Sequence, residues 1–246
     1  MKIIFLDTET TDLADNARLV QLAYKVRDDG KNIEELNEIF NPEVSISCEA
    51  MSVHHITNKM VQNKSTFLAS GLKEKIQEIL DNNVLIAHNA LYDIKILENE
   101  GLKVDHDRYI DTCRVAQHLI DSSSYKLQYL RYFLNLDLGE KEINPHDAFS
   151  DILVLEVLFD NLVQILKEKY NLQNDEEIIS RMILLSKTPV LVKNLNFGKY
   201  KGLSFEEVFN NDRPYLEWLF NSENSKNKSE QNENLIFTLK KYLNLI

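Results

Sequence analysis

Asp7 and Glu9 close a short apolar run, Lys2 to Leu6, with two carboxylates separated by one residue. On a strand, residues i and i+2 face the same side, so both carboxylates can reach one cation. The same spacing recurs at Asp175 and Glu177, and acidic pairs are common on solvated surfaces. The residues alone therefore leave a metal site and a surface pair open. Position distinguishes the first pair, because open α/β sheets bind ligands beyond the carboxyl ends of their strands. Three histidines precede an aspartate by five residues: His88 and Asp93, His106 and Asp111, His146 and Asp151. Spacing by itself selects none of them. His88 follows the apolar run Val84 to Ala87 and reads as a buried imidazole hydrogen-bonded to backbone. Asp93 and Asp147 read as first-turn or capping acids of helices. Asp151 adjoins the apolar stripe of Ile152 and Leu155, so if buried it requires a partner or a cation.

Four acids, Asp7, Glu9, Asp93 and Asp151, thus fall at the starts or ends of elements. Hard oxygen ligands in that number suit Mg²⁺ or Mn²⁺ rather than zinc. Two such ions about 4 Å apart clamp the attacking and leaving oxygens of a phosphoryl transfer. A nearby imidazole, with an ordinary pKa of about 6.5, can take the proton from the attacking water.

The elements that must position these groups are legible as periodicities. Lys2 to Leu6 and Val84 to Ala87 have the length and continuity of buried strands. Arg18 to Val26 and Ile33 to Phe40, joined through Asp28-Asp29-Gly30-Lys31, predict an antiparallel hairpin. Beyond Ala87 the apolar spacing becomes helical, through Ile94 and Leu97, then Cys113, Ala116 and Leu119, then Ile152, Leu155, Leu158, Phe159 and Leu162. Strands first, followed by alternation of strand and helix, predict an α/β domain with a mixed sheet. Asn221 to Asn234 is polar and low in complexity and is expected to be a mobile loop before the amphipathic Leu235 to Ile246.

The 246 residues carry 28 Lys and Arg against 39 Asp and Glu, a net charge of −11. Such acidity excludes a simple cationic nucleic-acid coat, whose binding rests on phosphate neutralisation. The charge is uneven: 19 basic against 32 acidic residues upstream of Lys187, and 9 against 7 from Lys187 onward. Together with the acidic Asn171 to Glu177 and the break at Thr188-Pro189, this predicts a domain boundary near residues 172 to 192. Apolar runs fall short of the roughly 20 residues of a membrane helix, so a cytoplasmic protein without a membrane partner is expected. Cys48 and Cys113 are expected to be reduced packing residues.

In order, IFLDTETTDL, LIAHNALYD and HDAFSD resemble the three exonuclease motifs of the DEDDh 3′-to-5′ exonucleases, a family that includes the epsilon subunit of bacterial DNA polymerase III. The resemblance implies an exonuclease domain over residues 1–172 with a ribonuclease H-like fold, a mixed five-stranded sheet flanked by helices. It assigns Asp7, Glu9, Asp93 and Asp151 as ligands of two Mg²⁺ or Mn²⁺ ions and His146 as general base. The sister group has a tyrosine four residues before the last aspartate, where this chain has Asp147. Thr10, Leu13 and Asn89 fall where the family lines the 3′-terminal nucleotide. Ala50 to Met60 resembles a segment in which His54 or His55 either touches substrate or is solvated. Asp12 departs from the family's usual glycine; the turn there is expected to differ and the extra acid to weaken phosphate binding.

Downstream, Phe197 to Gly202 (FGKYKG) and Pro214 to Leu219 resemble the small C-terminal module of exodeoxyribonuclease X-like proteins. This implies a module at 193–246 behind a linker at 173–192. Lys199 and Lys201 flank Tyr200 and can present a cationic, aromatic tip to a nucleic-acid strand. Phe197, Tyr200, Tyr215 and Trp218 read otherwise as the core of that module. The chain is thus expected to release nucleoside 5′-monophosphates from a single-stranded or frayed 3′ end, with DNA favoured by the downstream resemblance and a polymerase or repair protein as candidate partner. Two alternatives stay open: an exoribonuclease, since nothing in the motifs reads a 2′-hydroxyl, and a polymerase-associated accessory or binding subunit in which the tail matters more than catalysis.

Overall fold

The computed structural model describes residues 2–139 and 145–246. They divide into two units, Met1–Ser186 and Lys187–Ile246. In the first, β1 (Ile3–Thr10), β2 (Leu19–Asp28) and β3 (Lys31–Ile39) run as an antiparallel meander. Asp29 and Gly30, between β2 and β3, have φ of 46° and 76°, the paired positive values of the two-residue turn whose twist suits flanking strands. Three helices, α1 (Cys48–His54), α2 (Asn58–Val61) and α3 (Lys73–Asn82), lead to β4 (Val84–Ala87). Then come α4 (Ala90–Asn99), β5 (Tyr109–Asp111), α5 (Thr112–Leu119), α6 (Leu127–Phe133), α7 (Ala148–Tyr170) and α8 (Asp175–Lys187). The strand order is β3-β2-β1-β4-β5, with β1 antiparallel to β2 and parallel to β4.

Side chains alternate across a strand, and β1 uses both faces. Ile3 and Phe5 pack with Val115, Leu130, Ile152, Leu155 and Met182 from α5 to α8, whereas Ile4 and Leu6 pack with Ile76, Leu80, Ile94 and Leu97 from α3 and α4. Asp7 and Glu9 continue the Ile3–Phe5 series and so face the side that α7 covers.

β1 runs to Thr10, past the apolar residues that predict it. Its last turn of sequence is polar, but Asp7, Thr8 and Glu9 pair with Ala23, Leu22 and Gln21 of β2, so the backbone groups are satisfied whatever the side chains are. The span 173–192, expected as linker, differs more. It carries α8, whose Ile178, Ile179, Met182 and Leu185 join the first core. The acidic cluster Asp175 to Glu177 is its first turn, where carboxylates are favoured by the helix dipole.

α7 is docked by charge as well as by apolar contact. Lys25 Nζ donates to Glu156 Oε2 at 2.6 Å, and Arg27 reaches Glu156 Oε1 at 3.2 Å while its guanidinium lies 4.7 Å from the Phe5 ring centroid. Lys25 and Glu156 are both buried. A buried pair adds little net stability, but removing one partner strands the other charge. Lys25→Ala is expected to lower the unfolding free energy by about 3 kcal/mol in urea titrations, and Lys25→Met with Glu156→Met to cost less than that single change. Equal losses in the two proteins would argue against a desolvated pair.

The second unit is built on α9 (Phe205–Asn224) and α10 (Glu233–Tyr242). Ser204 and Glu207 form a reciprocal capping box at the start of α9, which leaves helical geometry at Asp212 (φ −152°, ψ 64°) two residues before Pro214. Leu195, Phe205, Val208, Leu216, Leu219, Leu235, Leu239 and Leu243 make the core. Trp218 is not part of it, being 60% exposed. Of the aromatics expected there, Tyr200 and Tyr215 are partly buried and Phe197 is exposed. Asn221 to Asn234 also departs from expectation. Buried Glu223 accepts hydrogen bonds from Lys226 and from the Asn232 N–H, and the Gln231 amide donates to the Asn224 and Lys226 carbonyls.

Candidate active site

Asp7, Glu9 and Asp151 form a group of carboxylates with oxygens all within 4.8 Å of one another. Two come from β1 and one from the first turn of α7, so the site exists only when that helix end is set against the sheet. Gln21 does this setting. It lies opposite Glu9 on β2, donates to Asp147 Oδ1 at 2.8 Å, and accepts from the Ala148 N–H. Asp147 in turn caps α7 through the Ser150 N–H at 3.0 Å, which is the capping role read from its position.

Asp93 is held slightly apart. The Thr8 hydroxyl donates to its Oδ1 at 2.8 Å, and Asp93 lies outside the 4.8 Å group. Its charge nevertheless acts on Asp7 and Glu9. Asp151 has both oxygens engaged, Oδ1 with the Gln128 amide of α6 and Oδ2 with the His146 N–H at 3.1 Å.

Burial and mutual repulsion raise the whole group. Burial first, then Asp93, Glu9, Asp151 and Asp147, push Asp7 well above the usual carboxylate range. Burial, then Asp151, Asp93 and Asp147, raise Glu9 to about 8. Burial raises Asp93 to about 7 against the opposing Thr8 bond. Asp151 is raised by burial, with Gln128 and His146 pulling the other way. Among the described residues, the charged groups acting on Asp7 are all acids. An all-oxygen, anionic donor set fits a hard divalent cation.

The histidines separate cleanly. His146 has φ 64° in the turn before α7, and its imidazole is exposed. His88 has both ring nitrogens occupied, by Thr112 Oγ1 at 2.9 Å and the Tyr125 carbonyl at 2.7 Å, and burial lowers its pKa. His54, read as substrate-facing or solvated, is neither: it is buried, its Nε2 donates to the Thr10 carbonyl at 3.1 Å, and its Nδ1 accepts from the Ile56 N–H.

Thr10 also has its hydroxyl engaged, 2.6 Å from Tyr92 OH and 2.8 Å from the Asp12 carbonyl. Asp12 is not among the positive-φ residues, so nothing here requires glycine; its Oδ1 instead accepts from the Ala14 N–H. Leu13 stands 87% exposed on this turn. Asn89, left-handed at φ 70°, precedes α4, with its N–H held by Asp111 Oδ1. In the second unit Lys199 and Lys201 are both exposed, and Lys199 Nζ lies 3.2 Å from Asp212, which also accepts from Tyr200 OH. Gln21, Tyr92 and Gln128 carry no spacing signal, because each acts through a partner distant in sequence.

The mixed sheet, with carboxylates from its central strand and from a covering helix, is the ribonuclease H-like α/β arrangement. Residues 4–159 match the Exonuclease family, and the chain belongs to it. Residues 195–224 match the exodeoxyribonuclease X-like C-terminal family. Exodeoxyribonuclease 10 of Escherichia coli K12 is 28% identical over 241 residues, covering 97% of both chains. DNA polymerase III subunit epsilon of Buchnera aphidicola is 27% identical over 174 residues, 64% of this chain and 71% of that one. Exonuclease X in complex with 5′ overhanging duplex DNA superposes with a TM-score of 0.56 at 22% identity, covering 74% of this chain and 99% of that chain. Escherichia coli Exonuclease I with an oligonucleotide does so at 0.56 and 16%, covering 69% and 42%. The protein is therefore an exonuclease, and the divalent-metal dependence of its family has a matching carboxylate cluster here. Among the described residues no helix is long and apolar enough to cross a membrane.

Proposed function

We propose that the chain is a DNA 3′-to-5′ exonuclease that hydrolyses the terminal phosphodiester of a single-stranded or frayed end with two Mg²⁺ or Mn²⁺ ions. The observation that carries this reading is the convergence of Asp7, Glu9 and Asp151 within 4.8 Å, with Asp93 beside them. DNA is favoured because the exodeoxyribonuclease relative aligns over 97% of both chains, the second unit included.

Bound divalent ions would supply charge neutralisation at the scissile phosphate. Asp7, Glu9 and Asp151 would hold them, with Asp93, bonded to Thr8, as the fourth donor. His146, exposed and tied through its backbone N–H to Asp151, takes the proton of the attacking water. The water oxygen bonds to phosphorus, the bond to the 3′-oxygen of the preceding nucleotide breaks, and that oxygen takes up a proton as the nucleoside 5′-monophosphate leaves. Leu13, the Thr10 backbone and Asn89 border the terminal nucleotide, and Lys201 is the freer of the two downstream lysines for a strand.

With Mg²⁺ or Mn²⁺ and a 5′-labelled DNA strand, a ladder shortening from the 3′ end is expected. His146→Ala should lower kcat by roughly 10²–10⁴-fold, while His88→Ala, if it folds, should retain the base. Loss of the label as a mononucleotide, or full turnover by His146→Ala, would overturn the assignment.

A further inference from the structure

α6 has an unusual outer surface. Its buried side is conventional, with Leu130 fully buried and Leu127 and Leu134 packed against the core. The opposite side exposes three aromatic rings: Tyr129 at 39%, Tyr132 at 69% and Phe133 at 45%. Tyr129 and Phe133, one turn apart, stack with centroids 5.9 Å apart and planes 22° from parallel. Ordinary solvent-facing helix positions favour charged or polar residues, so three clustered rings mark a surface with an occupant.

The cluster is continuous with the active site. Gln128 donates to Asp151 Oδ1, Arg131 Nη1 lies 3.5 Å from Gln128 Oε1, and the Arg131 guanidinium lies 5.1 Å from the Tyr132 ring centroid. Positions 128, 131 and 132 share one helical face. A line of contacts therefore runs from a metal-site carboxylate, through an amide and a cation, to an exposed ring. Lys126, at the helix start, is also exposed.

Resting on the exonuclease reading, we propose that this face of α6 holds the strand on the 5′ side, beyond the two nucleotides that flank the scissile bond. Tyr132, with the Tyr129–Phe133 pair, stacks against bases, and Arg131 and Lys126 meet phosphates. The acidic pocket repels the backbone it must cleave, and α6 supplies cations and π-faces next to it. Stacking tolerates any base, since every base has a π-face, as suits an enzyme that must advance through a strand of any sequence. A protein partner would use the same rings but would not need their alignment with Asp151.

Full-length wild type, Tyr132→Ala and Tyr132→Phe would be compared on a dinucleotide and on a longer single strand. Tyr132→Ala is expected to raise KM for the longer strand roughly tenfold or more, leaving its kcat and the dinucleotide KM unchanged, with Tyr132→Phe close to wild type. An unchanged KM on the longer strand, or equal losses on both substrates, would overturn the proposal. Anisotropy of a labelled strand in Asp7→Asn and Asp7→Asn/Tyr132→Ala gives an answer independent of turnover. Equal affinities there would also overturn it. A wild type that binds the strand through Tyr132 yet cleaves nothing would instead remove the exonuclease reading and leave the binding surface standing.

Discussion

Asp7→Asn is expected to abolish nuclease activity while leaving the fold intact, and in the absence of divalent metal to make it more stable. Asp7 carries a heavy electrostatic load: it is partly buried and is repelled by Asp93, Glu9, Asp151 and Asp147. Asparagine keeps the shape and removes the charge, so the repulsion among the neighbours falls. The same change deletes a central ligand, and turnover is expected to drop by roughly 10³-fold. Thermal unfolding in a chelator at pH 8 would show a midpoint at or above that of wild type. A variant within tenfold of wild-type turnover would discard the site, and one that is inactive because it is unfolded would discard the electrostatic argument.

The second large effect is on the metal-dependent stability of the protein and its pH profile. The folded-state pKa values of Asp7, Glu9 and Asp93 are raised, Glu9 to about 8 and Asp93 to about 7. Between the ordinary carboxylate values near 4 and these raised values, the folded metal-free protein holds protons that the unfolded chain has released. Its stability therefore falls as pH rises through that window. Cations remove the penalty, but at pH 6 they must displace protons to bind, and near pH 8 they displace few. Mg²⁺ at one fixed concentration, about a hundredfold above its Kd at pH 8, is expected to raise the unfolding midpoint by about 5–10 °C at pH 8 and by distinctly less at pH 6. His54 and His88, whose pKa values are lowered by burial, act in the opposite sense, favouring stability as pH rises. They contribute equally with and without metal, so the difference between the two melts isolates the carboxylates. Equal shifts at the two pH values would contradict the picture.

Much of this arrangement is legible in the sequence, and the exceptions have physical causes. β1 and β4 announce themselves because strands buried on both faces must be continuously apolar, and the hairpin is encoded by Asp29-Gly30. The apolar pattern ends four residues before β1 does, because pairing with β2 satisfies a polar backbone as readily as an apolar one. The same logic misplaces α8: an acidic cluster is both a solvated linker and a good helix start, and only the burial of Ile178 and Met182 decides between them. Trp218 reads as core by composition, yet Leu216 and Leu219 take the inward positions of α9. The four acids and His146 stand in ordered motifs, but the groups that orient them do not. Gln128 lies 23 residues from Asp151, and Thr8 lies 85 from Asp93; such contacts are fixed by tertiary packing and have no local signature.

The central place of β1 in the sheet gives the active site two walls of unlike character. Asp7 and Glu9 ride on a strand paired with β2 along its whole length and with β4 over Ile3 to Phe5, and can move only if the sheet opens. Facing them are a turn that presents His146 at positive φ and the seven-residue α6, short segments outside the hydrogen-bonded ladder of the sheet, of the kind that open locally before a sheet does. Asp7 and Glu9 are thereby held still, while Asp151 depends on the opposite bank through the Gln128 amide and the His146 N–H. Each cut requires the product to depart and the shortened strand to move up by one nucleotide. The molecule can accommodate that step by yielding on one side alone, keeping the place of cleavage fixed as the substrate advances past it.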